Sequence, residues 1–244
     1  MTDSLPDYGE RVELASAAFW DVRSAQSRKS KSQGVINPGD RSEVTGGQHL
    51  NGFQELVVSV FLDSGIPARL IDVKRRPIAG YFRRNKSWDL VVMVEERVLA
   101  IIEFKSMSGK NPGQNFNNRT DEALGQAHDV WKAVEREIIT GRPWLGYFMV
   151  LEDTEKFHHP VRGEKTVWKS DSAFDGASYA DRYVIFFERM IRERLLDAAC
   201  LLLGDRSSGE VTFPSDTLSF DTLAAAIRGR CLQFMAMNPD IDFS

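Results

Sequence analysis

The stretch that decides the fold runs from Trp88 to Lys105, WDLVVMVEERVLAIIEFK. Two β-rich apolar runs, 88–94 and 98–104, flank Glu95-Glu96-Arg97. They read as a hairpin, although the turn lacks the Asn or Gly that marks the commonest short loops. The second run is apolar until it ends in a carboxylate and an amine with one residue between them. Positions i and i+2 of a strand share a face, so Glu103 and Lys105 project together. In an antiparallel hairpin the numbers of paired residues have a constant sum. With Glu96 as the middle of a three-residue loop, Asp89 falls directly opposite Glu103; a two-residue turn would break that pairing. Like charges so placed repel. A hard divalent cation removes the conflict and takes oxygen ligands of this kind.

Outward from the hairpin, the pattern is that of an α/β protein. On the N-terminal side Leu50, Phe53, Leu56, Val57, Val60 and Phe61 recur at helical spacing until Gly65 and Pro67 stop them, and a short strand, Ala68 to Val73, follows. On the C-terminal side comes a Gly- and Asn-rich loop, 106–117. A helix capped by Asn118 or Thr120 then carries Leu124, Ala127, Val130, Trp131, Val134 and Ile138 on one face, with Asp121 and Glu122 suiting its positive end. Trp144 to Leu151 reads as a buried strand. Strand–helix–strand implies a parallel crossover, so the expected fold is a central mixed β-sheet flanked by helices. Three segments follow: 1–45, an N-terminal helix (about Leu5 to Trp20) and a basic loop or arm; 46–155, the α/β core; and 156–244, a loop plus C-terminal helices packed on the core as one domain. Those helices are expected near Tyr179–Leu203 and Thr222–Met237.

Composition narrows the class. Of 244 residues 42% are hydrophobic and 27% charged, ordinary for a globular protein. No apolar run reaches membrane-spanning length, and the N-terminus is acidic where a signal peptide is basic. Cys200 and Cys231 are too few for a zinc site and read as buried apolar residues of a reducing cytoplasm. The net charge of -4 argues against nucleic-acid binding by bulk charge. Its distribution points the other way: Arg69, Lys74, Arg75, Arg76, Arg83, Arg84 and Lys86 face only one acid, Asp72, in a single short stretch, and Arg28, Lys29 and Lys31 form a second basic run. Two solvated loops would give the same pattern.

The chemistry expected of Asp89, Glu103 and Lys105 is phosphodiester hydrolysis. A magnesium ion held by Asp89, Glu103 and the Phe104 carbonyl would polarise a phosphate, while Lys105 would orient a water and offset charge on phosphorus. A surface hairpin with an ordinary Glu–Lys pair is the bland alternative. Here the residues resemble a family. Trp88-Asp89 followed by Glu103-Phe104-Lys105 matches the PD-(D/E)XK nuclease signature with Trp in place of the usual Pro, and the element order is similar to that superfamily's core. The resemblance is closer still to the XhoI-type type II restriction endonucleases. It is carried by Gly46-Gly47, Asn51-Gly52-Phe53, Glu103-Phe104-Lys105-Ser106, Asn115-Phe116-Asn117-Asn118-Arg119, Glu122-Ala123, Ala127-His128-Asp129, Leu151-Glu152-Asp153 and Gly176-Ala177-Ser178-Tyr179. The resemblance implies a homodimer that cuts the palindrome CTCGAG in double-stranded DNA with magnesium, leaves 5′-phosphate ends, and has a cognate DNA methyltransferase as host protector.

Further candidates are weaker. Asn117, Asn118 and Arg119 suit base or phosphate contact at a helix start, since Asn reads adenine and Arg guanine; Asn118 as a plain cap is the competing reading. Lys110, Arg75, Arg76, Arg83 and Arg84 are candidate DNA contacts by charge. Glu55, Glu122 and Gln126 are possible accessory groups, and Glu152-Asp153 reads as a strand-end cap rather than a metal pair. His128, His158 and His159 lack metal-ligand spacing, and Ser108 to Gly113 is no P-loop. Three other functions stay open: a repair or junction-resolving nuclease of the same superfamily, a catalytically silent DNA-binding module, and a small-molecule enzyme using Asp89 and Glu103 as acid and base.

Overall fold

The computed structural model describes residues 6–32, 48–73, 76–161 and 167–243. In chain order the elements are α1 (Gly9–Ser32), α2 (Asn51–Asp63), β1 (Ile71–Asp72), β2 (Pro77–Ile78), β3 (Lys86–Ser87), β4 (Leu90–Val94), β5 (Arg97–Met107), α3 (Pro112–Glu135), β6 (Trp144–Glu152), the single turn α4 (Glu155–His158), α5 (Tyr179–Arg192), β7 (Ala198–Gly204), β8 (Val211–Thr212) and α6 (Phe220–Met237). Strands β1-β4-β5-β6-β7-β8 form one mixed sheet; β5, β6 and β7 run parallel and the other pairs are antiparallel. Strands β2 and β3 pair separately as a small ribbon.

Helices cover both faces, as a sheet containing parallel strands requires. Leu90, Val92, Ile102, Phe104 and Phe148 pack beneath α1, α2 and α6 through Phe19, Phe53, Phe61, Phe220 and Ile227. Val91, Ile101, Tyr147, Met149 and Leu201 pack beneath α3 and α5 through Ala127, Val130, Tyr183, Phe187 and Met190. By alternation Glu103 and Lys105 belong to this second face, beyond Ile101.

The hairpin has a two-residue turn, Glu95-Glu96, with Glu95 in the left-handed region (φ 55), instead of the expected three-residue loop. Near the turn the pairs are Val94↔Arg97 and Met93↔Val98; beyond a bulge they become Val92↔Ala100, Val91↔Ile101 and Leu90↔Ile102. Leu99 is the extra residue. A bulge shifts the register by one, and here it undoes the parity change of the shorter turn. The restored register, continued by one step, sets Asp89 against Glu103.

Four expectations are corrected. Helix α1 continues to Ser32, well past the expected end near Trp20, so Arg28 of the basic run is helical. Residues 68–70 form a 3-10 turn, which leaves only Ile71-Asp72 as strand. Helix α3 begins at Pro112, the first-turn position proline favours, so Asn117-Asn118-Arg119 lie in its second turn and Asn118 is no cap. The long helix after Tyr179 ends at Arg192; Arg194 turns the chain with φ 60, and Ala198–Gly204 is strand β7, buried at every position. A run of Ala, Cys and Leu has no strand-like alternation, but the interior of a parallel sheet demands none.

The segments Asn115 to Arg119 and Gly176 to Tyr179, both carriers of the family resemblance, are packed together. Ser178 caps α5: its Oγ accepts from the Asp181 amide (3.2 Å), and the Asp181 carboxylate accepts from the Ser178 amide (2.9 Å), a capping box. Phe116 meets Tyr183 edge-on at 4.9 Å. A Cβ on Gly113 would fall 2.4 Å from the Tyr179 hydroxyl, so only glycine permits that approach. Both cysteines are buried and free, Cys200 on a strand rather than a helix. No described helix is long and apolar enough to cross a membrane.

Candidate active site

Where β4 begins and β5 nears its end, the sheet brings its acids together. Glu103 is 2% exposed. Asp89 lies just before β4, and its Oδ2 accepts from the Phe104 amide at 2.9 Å. The N–H and C=O of a strand residue point to the same side, so the Phe104 carbonyl also faces the Asp89 side, beyond the end of β4. Gln54 of α2 donates to the Asp89 carbonyl at 3.4 Å.

Two ammonium groups meet on Glu103. Lys105 Nζ donates to Glu103 Oε1, and Lys86 Nζ donates to Glu103 Oε2 at 2.7 Å. Lys86 also stands over the Trp88 ring, 4.0 Å from its centroid. Burial and then the neighbouring Glu103 charge raise the Asp89 pKa; Lys105, the Phe104 amide and Lys86 act against the rise. Burial lowers the Lys86 pKa, opposed chiefly by Glu103. The site thus sets two carboxylates and two ammonium groups within electrostatic reach of one another.

Around this centre the other candidates divide. Glu122 is bound by Arg119 at 2.7 Å, so Arg119 is partly committed. Gln126 is buried, and its Oε1 has no partner among the described residues. Asn117 and Asn118 are exposed on α3. Glu55 is exposed, and its neighbour Gln54 is the α2 residue that reaches the site. Arg76 pairs with Asp72 at 3.9 Å and Arg83 with Asp129 at 3.7 Å. Arg84 is exposed and Lys110 is held near the start of α3, where its carbonyl accepts from Asn115. Arg75 and the Gly46-Gly47 pair lie outside the described residues.

Sequence reasoning missed three residues. Lys86 enters only as one of a basic run; its role depends on the β2–β3 ribbon, which no alternation announces. Gln54 is an unremarkable polar residue on a helix. Tyr147 is level with Glu103 in the β5–β6 register, 2% exposed, with a hydroxyl that has no partner among the described residues. Burial first, then the Glu103 charge, push its pKa well up.

The donor chemistry fits a hard divalent cation: two carboxylates and a carbonyl, all oxygen, in a setting that already demands positive charge. Among the described residues no group of three or more acidic, His or Cys side chains gathers anywhere. A magnesium ion, which keeps several waters, needs no more than one or two carboxylates.

Sheet, flanking helices and the Asp–Glu–Lys arrangement define a nuclease of the PD-(D/E)XK class. The family described as "Restriction endonuclease XhoI" matches residues 29–215. The chain is 36% identical over 179 residues to type II restriction enzyme BstVI of Geobacillus stearothermophilus, covering 70% of this chain and 80% of that protein. It is 34% identical over 198 residues to type II restriction enzyme XhoI of Xanthomonas vasicola, covering 78% of each. It is 38% identical over 158 residues to type II restriction enzyme AbrI of Azospirillum brasilense, covering 63% of this chain and 70% of that protein. No solved structure matches. The chain belongs to the XhoI restriction endonuclease family, whose members are site-specific deoxyribonucleases.

Proposed function

We propose that the chain hydrolyses both strands of duplex DNA at a palindromic site, CTCGAG by family resemblance, with magnesium, leaving 5′-phosphate ends. The observation that carries this is the meeting of Asp89, Glu103 and Lys105 on one face where a buried strand nears its end. Asp89, Glu103 and the Phe104 carbonyl are the groups that would hold the metal, which supplies Lewis acidity toward the phosphate when bound. Lys105 orients the attacking water and offsets negative charge developing on the phosphoryl oxygens. Lys86, brought to the same carboxylate by the ribbon, adds a second cation beside the phosphate. Sheet, hairpin and ribbon hold these side chains in place before substrate arrives, which is where positioning gains its catalytic effect.

A palindromic target suits a two-fold homodimer, and a cognate DNA methyltransferase is the functional partner that spares host DNA. The N-terminal arm and the second turn of α3, with Asn117, Asn118 and Arg119, are the segments we assign to DNA contact, joined by Lys110 and by Arg75, Arg76, Arg83 and Arg84 along the phosphates. Affinity then falls steeply with salt.

The test is a plasmid digest with and without magnesium, with Glu103→Ala run beside the wild type and the cut ends sequenced. Discrete fragments ending at CTCGAG, lost without metal and in the variant, are the expected result. Metal-dependent cutting elsewhere keeps the mechanism and overturns the specificity. No cutting by folded protein that still binds DNA overturns the enzyme reading.

A further inference from the structure

The β2–β3 ribbon does more than bring Lys86 to Glu103. Its pairs are Pro77↔Ser87 and Ile78↔Lys86, and the loop between them is Ala79-Gly80-Tyr81-Phe82-Arg83-Arg84-Asn85. A solvated loop between two-residue strands has little to order it. This one is tied to α3 by a single buried side chain. One oxygen of Asp129, which is 4% exposed, accepts from the backbone amides of Tyr81 (3.0 Å), Phe82 (2.7 Å) and Arg83 (3.4 Å). The other oxygen meets the Arg83 guanidinium at 3.7 Å. The fit admits nothing larger than glycine at position 80, where a Cβ would fall 2.2 Å from Asp129 Oδ2.

What the rigid loop displays is an aromatic ring. Phe82 is 69% exposed. Among the described residues its only flat contact is the His128 ring on α3, stacked at 6.0 Å and 17°, with Tyr81 edge-on at 4.7 Å behind it. Arg83 and Arg84 follow it directly, and Arg84 is exposed with no ion pair among the described residues. A large apolar side chain held in water by a purpose-fitted anchor, next to two arginines in sequence, suits a partner that is anionic outside and apolar and stackable inside. Duplex DNA is such a partner.

The reach is right as well. Phe82 lies four positions before Lys86, so their Cα atoms span at most about 14 Å. At 3.4 Å per nucleotide along a strand, that is about four base pairs from the phosphate at Glu103. The ring therefore falls within the footprint of a short recognition site.

We propose that Phe82 is an apolar wedge that enters a DNA groove and contacts a base step beside the cut, with Asp129 as the positioning residue that fixes the loop. This rests on the DNA-cleavage reading above. The ring replaces solvent with base edges, and any unstacking it causes is offset by added contact.

The test uses full-length protein without magnesium and a short duplex containing CTCGAG, with 2-aminopurine in place of the adenine of the site. Wild type should bind and raise the 2-aminopurine fluorescence as stacking is lost. Phe82→Ala should keep the wild-type melting temperature, bind about tenfold more weakly and lose the fluorescence rise; Phe82→Leu, which retains an apolar wedge, should keep most of both. Asp129→Asn should weaken binding and speed amide exchange at 81–83 together, a pairing that simple destabilisation elsewhere would not give. Unchanged affinity and fluorescence for Phe82→Ala overturn the proposal, including the case in which only its oligomeric state changes. A wild type that binds neither this duplex nor one of mixed sequence overturns the DNA reading on which the proposal rests, which is a separate and recognisable failure.

Discussion

Two neighbouring parallel strands carry acids toward the same edge of the sheet, and the acids have different fates. At the end of β6, Glu152 and the next residue, Asp153, are absorbed by the fold. Glu152 Oε2 accepts from the Gly109 amide at 2.8 Å, its Oε1 lies 3.8 Å from Arg206, and Asp153 is taken by His158. On β5, Glu103 meets no backbone donor among the described residues; its partners are two ammonium groups, and Asp89 stands opposite it in the extended register. Acids held by amides organise loops. Acids held by side-chain cations alone keep oxygens that a metal can share. The largest expected effect breaks the comparison at this point: Glu103→Gln lowers the rate of DNA cleavage about a thousandfold, while Glu152→Gln, whose amide oxygen still accepts from Gly109, leaves the rate within a few-fold of wild type. Comparable losses in both, with melting temperatures unchanged, would show that the two strand ends do not differ in kind.

The two lysines sharpen the same contrast. Lys105 shares the face and strand of Glu103, whereas Lys86 arrives on a separate ribbon and also rests on Trp88. Lys105→Met should cost about a hundredfold in cleavage rate, the magnitude of losing one fixed electrostatic group. Lys86→Met should cost about tenfold and, by freeing Glu103 Oε2 of a competing cation, should tighten manganese binding measured calorimetrically without DNA. Weaker manganese binding in Lys86→Met would mean that the ammonium supports the carboxylate's geometry instead of competing for it.

How much of this is legible in the sequence depends on how local the cause is. The β4–β5 hairpin is legible because Asp89, Glu103 and Lys105 sit at the ends of runs with strong strand character. Their register survives for a reason the sequence hides: a bulge at Leu99 offsets the parity of the two-residue turn. Strand β7 is not legible, since Ala198 to Leu203 carries neither alternation nor β-branching, and only burial between β6 and β8 selects its extended form. The start of α3 is misread because Asn118 and Thr120 look like caps, while Pro112 opens the helix after Asn111 adopts a left-handed conformation (φ 48). The contributions of Lys86, Gln54 and Tyr147 come from tertiary placement, and their spacing carries no period to find.

The opposite face of β5 extends the comparison. Ser106, one residue past Lys105, is bonded by Arg23 (3.1 Å) and His49 (3.1 Å) in a buried cluster. Burial, with the Arg23 charge second, lowers the His49 pKa to about 4. The unfolded chain binds that proton at its ordinary pKa of about 6.5, so the unfolded state holds more protons between those values. Stability contributed by neutral His49 is therefore present above about pH 6.5 and lost as pH falls toward 4. Urea unfolding should register a loss of about 3 kcal/mol across that window, and His49→Gln should remove this part of the pH dependence. An unaltered profile in the variant would place the acid sensitivity in other groups.

Tyr147 gives the smallest effect and the finest division between structure and chemistry. Its hydroxyl is buried beside Glu103 with no partner among the described residues. An unsatisfied buried hydroxyl costs about 1–3 kcal/mol, and its ring already packs on Phe187 at 5.2 Å. Tyr147→Phe keeps the ring and removes the hydroxyl, so the variant should be more stable by about 1 kcal/mol, with cleavage within a few-fold of wild type. Stability and rate are read on the same preparation because the two outcomes separate cleanly. A more stable variant with full activity makes the hydroxyl a tolerated cost of filling the core. A more stable variant that cuts much more slowly means the hydroxyl finds its partner only with DNA bound, and the boundary of the site moves from β5 onto β6.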